Sequence, residues 1–329
     1  MRATGWAALD PAEVRDRIRG AILGGACGDG LGAPFVGQDV VAAERFEGHR
    51  HGMRLLTHTD DTVLTLVLAQ HLSHPAGGRG DLHEDRLARE FAWAWRREPW
   101  RAHGTGEQQV FRSVLFGIPW RRAAAELVGD TGSNGIGNGG AARVAPVGLL
   151  GRSLDAVLGV ARRSAQLTHP HPLGQGGAAL QAAAVALAAS SDRDRPFDRE
   201  VFLDAVLACP AHPAFVPRLH RMRQLEGESL AAVVGEFSNA VSALESVPAA
   251  ILAFLHSPDD PEQVLDLAVR FGGDTSSVAA MAGTLVGARC GASQLPSDLV
   301  PRIEDGPRVV DIADGLARRA VMFAPVPAA

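Results

Sequence analysis

The run AALQAAAVALAAS, residues 178–190, constrains the fold of this chain more than any other stretch. Alanine is the best helix former, and its methyl group leaves little bulk to hold a neighbouring backbone away. Such a run is a helix packed tightly against its neighbours. Helical periodicity recurs at 62–72, 85–97, 106–116, 153–165, 174–190, 198–208, 228–241, 260–270, 276–290 and 308–321. No segment alternates with period two, β-branched residues are scattered, and tyrosine is absent. The expected fold class is all-α.

The segment LDPAEVRDRIRGAILGGA begins the first helix. Asp10 is placed to cap it, Pro11 takes the first helical position, Glu13 completes a capping box, and Val14, Ile18 and Ile22 share one face. Three stretches read as linkers: SHPAGGRGDLHED, GDTGSNGIGNGGAARVAP and SSDRDRPFD, the last a solvated surface loop. None is long enough to separate domains and no repeat period is present, so residues 1–329 are expected to form a single large orthogonal helical bundle.

Composition excludes several function classes. No stretch reaches the roughly 20 unbroken apolar residues that cross a bilayer, and MRATGWAALDPAEVRDRIRG lacks the apolar core of a secretory leader, which predicts a cytoplasmic, monomeric protein with no membrane partner. Cys27, Cys209 and Cys290 are far apart and without metal-type spacing, as expected of reduced core thiols. A net charge of −5 offers no basic footprint for nucleic acid. Every basic residue is arginine, so neither a Schiff-base lysine nor a phosphate-loop lysine is present.

Asp60 and Asp61, within LLTHTDDTVLTLVLAQHL, stand side by side at the head of a helix. Read locally, this is an ordinary helix start, where the positive end of the helix dipole favours a carboxylate. Only one of the pair can cap, and the other repels its neighbour unless a cation lies between them. A similar head occurs in RFGGDTSSVAAMAGTLVGARCG: a Gly-Gly turn, then Asp274, Thr275, Ser276 and Ser277. Behind it, Ala279, Gly283 and Gly287 recur at four-residue spacing, a face small enough for another helix to approach closely. If the two heads meet, Thr59, Asp60, Asp61, Asp274 and one or both of Ser276 and Ser277 enclose a pocket with oxygen ligands only. That set suits Mg2+ or Mn2+ and not zinc.

GIGNGG, residues 135–140, matches GxGxxG, but the helical pattern WRRAAAELVGDTGSN precedes it where a dinucleotide fold needs a strand. It is a connecting loop, or a loop whose bare amides, with Ser133 and Asn138, embrace a phosphate or ribose. GDGLGAP, residues 28–34, carries the same ambiguity. His49 and His51 read as satisfied surface or core residues. His169, in LTHPHPLGQGG, lies just before a helix start, where a ring nitrogen can meet a ligand hydroxyl.

Taken in order, GAILGGACGDGLGAP, HTDDTVLTLVLAQHL, GNGGAARVAPVGLL, LTHPHPLGQGGAALQAAAVALA and FGGDTSSVAAMAGTLVGARCG resemble the landmarks of the ADP-ribosylglycohydrolase family, which includes the dinitrogenase reductase-activating glycohydrolases and the ADP-ribosyl-acceptor hydrolases. The resemblance runs from about residue 18 to residue 291. It implies an all-α domain whose cleft holds two Mg2+ or Mn2+ ions, binds ADP-ribose and cleaves the bond at its anomeric carbon. It places Thr59, Asp60, Asp61, Asp274 and Ser277 on metal-ligand positions, Ser277 replacing a threonine. Ser133, Asn134, Gly135, Ile136, Gly137, Asn138 and Gly139 fall on the phosphate-binding loop, and His169 on the adenosine side. Asp60 or Asp61 would accept the proton of the attacking water.

Two departures bear on activity. GGDTSS stands for the usual GGDTDT, so Ser276 replaces an aspartate that ligates metal, and even an outer-shell loss costs about 10–100-fold in affinity. One of the two cations is expected to be weak or absent. Val36, in GAPFVG, stands where many relatives carry a flap glutamate, with Glu44 and Glu47 as the nearby residues to substitute. Three functions fit: hydrolysis of an ADP-ribosylated protein or ADP-ribosyl conjugate, hydrolysis of a ribosylated or nucleotide-bearing metabolite, and ADP-ribose binding without turnover.

Overall fold

The computed structural model describes residues 9–74, 82–127, 135–151, 153–225, 228, 232–234 and 241–322. Among them the structure is helical, with β pairing confined to the isolated bridges Gln38–Gly273, Leu56–Ile303 and Gly137–Ser242. Helices Asp60–Ser73, Glu84–Arg97, Thr105–Leu115, Leu154–Ala165, Pro172–Ser190, Arg199–Leu207, Pro261–Arg270, Thr275–Cys290 and Gly306–Met322 lie where the periodicity placed them. The segment 228–241 falls largely outside the described residues. Helices Ala43–Gly52, Trp120–Leu127, Val216–Gln224 and Ala243–His256 add to that reading. The last is buried on nearly every side and contains Pro248, a residue that usually argues against a helix interior.

The first helix runs from Pro11 to Gly32. Asp10 accepts the Ala12 amide at 2.7 Å, and Val14, Ile18 and Ile22 are buried on one face. The capping box does not form. Glu13 instead takes the guanidinium of Arg17 at 2.7 Å, because a buried arginine offers a charged partner that an exposed first-turn amide does not match. GDGLGAP is likewise not a loop: its glycines complete the first helix, and Ala33–Phe35 make a 3-10 turn.

The reason lies in packing. The small face of the Thr275–Cys290 helix meets Gly20, Gly24 and Gly28 of the first helix. A Cβ at Gly28 would stand 2.0 Å from the Ala279 carbonyl oxygen, and one at Gly24 would stand 2.3 Å from that of Gly283. The backbones touch only because the first helix has glycines there and the facing residues are glycine or alanine. This contact sets the end of the first helix beside the start of the Thr275–Cys290 helix. Around the pair, one continuous cluster of buried side chains extends from Val14 to Ala320, and the alanine-rich Pro172–Ser190 helix is buried along most of its length. Cys27, Cys209 and Cys290 are buried and unbridged, with burial pushing the thiols of Cys27 and Cys290 up to about 12. No described helix is long and apolar enough to cross a membrane.

Candidate active site

The head of the Asp60–Ser73 helix is held by a residue of another helix. Asp29, fully buried near the end of the first helix, accepts through Oδ2 the Thr59 amide (2.9 Å), the Thr62 amide (3.1 Å) and the Thr62 hydroxyl (2.6 Å). Its Oδ1 accepts the Thr59 hydroxyl at 2.8 Å. Thr59 is the N-cap and receives the Asp61 amide at 3.3 Å. Neither Asp60 nor Asp61 therefore caps its own helix, which corrects the local reading of TDDT. Both side chains are released into a cavity of about 850 Å³.

The two helix heads meet there. Ser277 donates its hydroxyl to Asp61 Oδ2 at 2.8 Å, across 216 residues of sequence. Asp274 projects beside them, held through Oδ2 by the Asn138 side-chain amide at 2.7 Å, with the Ser276 hydroxyl 3.5 Å from Oδ1. The turn that delivers Asp274 needs glycine, since Gly272 has φ +74° and a Cβ there would lie 2.2 Å from the Asp39 carbonyl oxygen. Thr59, Asp60, Asp61, Asp274, Ser276 and Ser277 all line the cavity. Burial, followed by the like charges of Asp61 and Glu107, raises the Asp60 carboxyl well above the usual range. Burial followed by Asp29 and Asp274 does the same for Asp61.

A second buried network, absent from the sequence reading, forms the opposite wall. His103 precedes the Thr105–Leu115 helix and Glu107 sits in its first turn. Asp60, His103 and Glu107 each offer one ligand atom within 4.8 Å of the others, a group that could hold a metal ion. Arg143, fully buried, grips Glu107 Oε1 at 2.6 Å and the Thr168 hydroxyl at 2.7 Å, with its guanidinium 4.7 Å above the Phe91 ring. Burial opposes ionisation of Glu107, yet Arg143, His169 and His103 outweigh it and hold the carboxyl below its ordinary value. A glutamate in a first turn looks like dipole compensation in any sequence. Nothing in WRAHGTGEQ singled it out.

His169 lines the cavity, its Nδ1 2.8 Å from the Thr168 hydroxyl, and burial lowers its pKa to about 4, so the ring is neutral. Gly135, Ile136, Gly137, Asn138 and Gly139 form one rim, while Ser133 and Asn134 lie outside the described residues. This rim is pinned to the start of the Ala243–His256 helix: the Asn138 amide donates to the Val241 carbonyl at 3.0 Å, and the Ala243 amide to the Ile136 carbonyl at 2.9 Å. The Asn138 side chain lines the cavity and gives one amide N–H to Asp274. A Cβ at Gly139 would lie 3.1 Å from both Glu107 Oε1 and the His169 ring, which keeps that position bare. Val36, half-exposed, stands at the cavity wall. Glu44 and Glu47 do not line it, as they sit on the Ala43–Gly52 helix, and the additional carboxylate in the cleft is Glu107.

Comparison with known proteins agrees with this architecture. The sequence profile of ADP-ribosylglycohydrolase matches residues 10–323. The chain is 32% identical over 350 residues to the ADP-ribosylhydrolase ARH3 of Danio rerio, covering 94% of this chain and 91% of that protein. It is 31% identical over 327 residues to the ADP-ribosylhydrolase ARH3 of Homo sapiens, covering 87% and 88%. A solved structure described as an ADP-ribosylglycohydrolase-related protein complex superposes with a TM-score of 0.69 at 26% identity, covering 94% of this chain and 99% of that one. With profile, fold and sequence identity concordant over most of its length, this chain belongs to the ADP-ribosylglycohydrolase family, a family of glycosidic hydrolases.

Proposed function

We propose that this protein hydrolyses the glycosidic bond at the anomeric carbon of an ADP-ribosyl group, with a divalent cation in the cleft. The observation that carries the reading is the Ser277–Asp61 hydrogen bond, which brings two acidic helix heads to one cavity. The donor chemistry fits a hard cation: Asp60, partly buried, and Asp61, buried, stand side by side near Asp274, and among described cations Arg143 is engaged by Glu107 instead. Thr59, Asp60, Asp61, Asp274, Ser276 and Ser277 would hold Mg2+ or Mn2+, which would set ribose hydroxyls in place and acidify a water.

The chain's own groups complete the chemistry. Asp60 or Asp61 takes the proton of the attacking water as positive charge develops at the anomeric carbon. Thr168, whose oxygen already accepts from Arg143, donates to His169 Nδ1 and leaves Nε2–H to reach a ligand hydroxyl. The bare rim at Gly135, Gly137 and Gly139 admits a diphosphate close to the backbone. The buried cluster that runs from Val14 to Ala320 supports the reading of residues 1–329 as one domain.

The test is release of ADP-ribose from an ADP-ribosylated protein and from small ribosyl conjugates, with Mg2+ or Mn2+ against EDTA. Metal-dependent release abolished in Asp61→Asn supports the reading. Release from metabolite conjugates alone would reassign the substrate. Val36, an apolar residue at the cavity wall, favours a second reading, ADP-ribose binding without turnover. Calorimetric binding of ADP-ribose with no release from any acceptor would establish it.

A further inference from the structure

We propose that this chain carries a nitrogen-containing cation site, formed by Asp60, His103 and Glu107, which takes Mn2+ or a similar first-row transition ion in preference to Mg2+. The inference shares Asp60 with the ligand set above but rests on His103 and Glu107, and its test reads metal ligation without turnover.

Three observations point to a ligand. The ligand atoms of the three residues already lie within 4.8 Å of one another, with His103 Nδ1 3.8 Å from Asp60 Oδ2. Cis ligands held about 2.1 Å from one ion stand about 3.0 Å apart, so loading draws His103 and Asp60 together by about 0.8 Å and the widest pair of the group by no more than about 1.8 Å. The His103 side chain is fully buried, and neither ring nitrogen makes a well-formed hydrogen bond. The groups acting on the ring include the Asp60 and Glu107 carboxylates and the backbone carbonyl of Glu98, acceptors that suit a ligating histidine and its outer partner, along with the Arg143 guanidinium that Glu107 holds. Finally, Arg143 holds Glu107 by one oxygen, with Thr168 and the Ser164 carbonyl fixing the guanidinium in turn. An oriented carboxylate of this kind is what an outer shell provides at a metal centre.

The ligand types set the preference. Carboxylate and hydroxyl oxygens suit Mg2+ and Mn2+ alike, whereas imidazole is a softer ligand that first-row transition ions accept more readily than Mg2+ does. One imidazole with two carboxylates therefore moves the site away from Mg2+. Glu107 also supplies, from the opposite wall, a carboxylate to a cleft in which Ser276 supplies none.

The experiment is Mn2+ titration of the full chain followed by electron paramagnetic resonance, with pulsed detection of directly bonded 14N. Wild type should show nitrogen coupling. His103→Phe should lose it, and Mn2+ Kd should rise at least about 10-fold in both His103→Phe and Glu107→Gln. The preference for Mn2+ over Mg2+ should shrink in the histidine variant. Bound Mn2+ without nitrogen coupling, or coupling that survives His103→Phe, overturns the proposal and leaves the oxygen-ligand reading intact. Should His103→Phe not fold, His103→Gln and the wild-type spectrum decide the same question. Absence of bound Mn2+ in wild type overturns it as well, while the ADP-ribose release assay reports on the function separately.

Discussion

Replacing Asp29 tests how the site is positioned. Its carboxylate is fully buried and receives four hydrogen bonds, from the amides and hydroxyls of Thr59 and Thr62. In Asp29→Ala both amides lose their acceptor at the head of the Asp60–Ser73 helix, at about 1–3 kcal/mol for each buried unsatisfied group. The hydroxyls can turn to other partners, so the expected cost is about 4 kcal/mol. An unfolding entropy of about 2.1 cal/mol/K per residue over 329 residues converts this into a fall in Tm of about 6 °C. Asp29→Asn behaves differently. A carbonyl placed at the Oδ2 position keeps three of the four bonds, and the amide nitrogen faces the Thr59 hydroxyl, which can rotate to accept. The loss reduces to the charge assistance of those bonds, about 1 kcal/mol, or less than 2 °C. Differential scanning calorimetry on the two variants distinguishes these values. Equal melting of Asp29→Ala and Asp29→Asn, or an alanine variant within 1–2 °C of wild type, would refute the assignment of Asp29 as the acceptor that fixes the helix head.

Three further outcomes follow from the same geometry. Gly28→Ala places a methyl 2.0 Å from the Ala279 carbonyl oxygen and should cost about 3 kcal/mol or more by forcing the two helices apart, measurable by urea denaturation. Ser276→Asp should raise Mg2+ affinity about 10–100-fold by calorimetry, and an unchanged Kd would place residue 276 away from the ion. Arg19 and Arg15 hold the Asp314 carboxyl well below the usual range, with Arg19 Nε 2.5 Å and Arg15 Nη2 2.6 Å from its oxygens. A depressed carboxyl contributes stability above its unfolded pKa and loses it as the pH falls through the folded value. Asp314→Asn should accordingly be less stable by about 1 kcal/mol at pH 7, discounted for the half-exposed Arg15, and the gap should close only below about pH 4.

Some functional groups were legible and others were not, for identifiable reasons. Asp60, Asp61 and Asp274 announce themselves because each opens a helix in a cluster of hydroxyl residues, and a helix head is a local feature of sequence. His169 stands out in a proline-punctuated turn. Glu107 and His103 do not, since their meaning depends on Asp60 and Arg143 across the cavity. Asp29 was hidden inside GDGLGAP, which resembles a loop until a second helix is laid against its glycines.

By itself, then, the sequence determined the helical class, most helix positions, the Asp10 cap and the order of the motifs, because propensity, periodicity and capping act over a few residues. The tertiary structure decided which helix holds which. The Asp29–Thr59 and Ser277–Asp61 contacts join residues 30 and 216 positions apart. Such contacts depend on close approach and on the burial of groups that need partners, neither of which leaves a repeating mark along the chain.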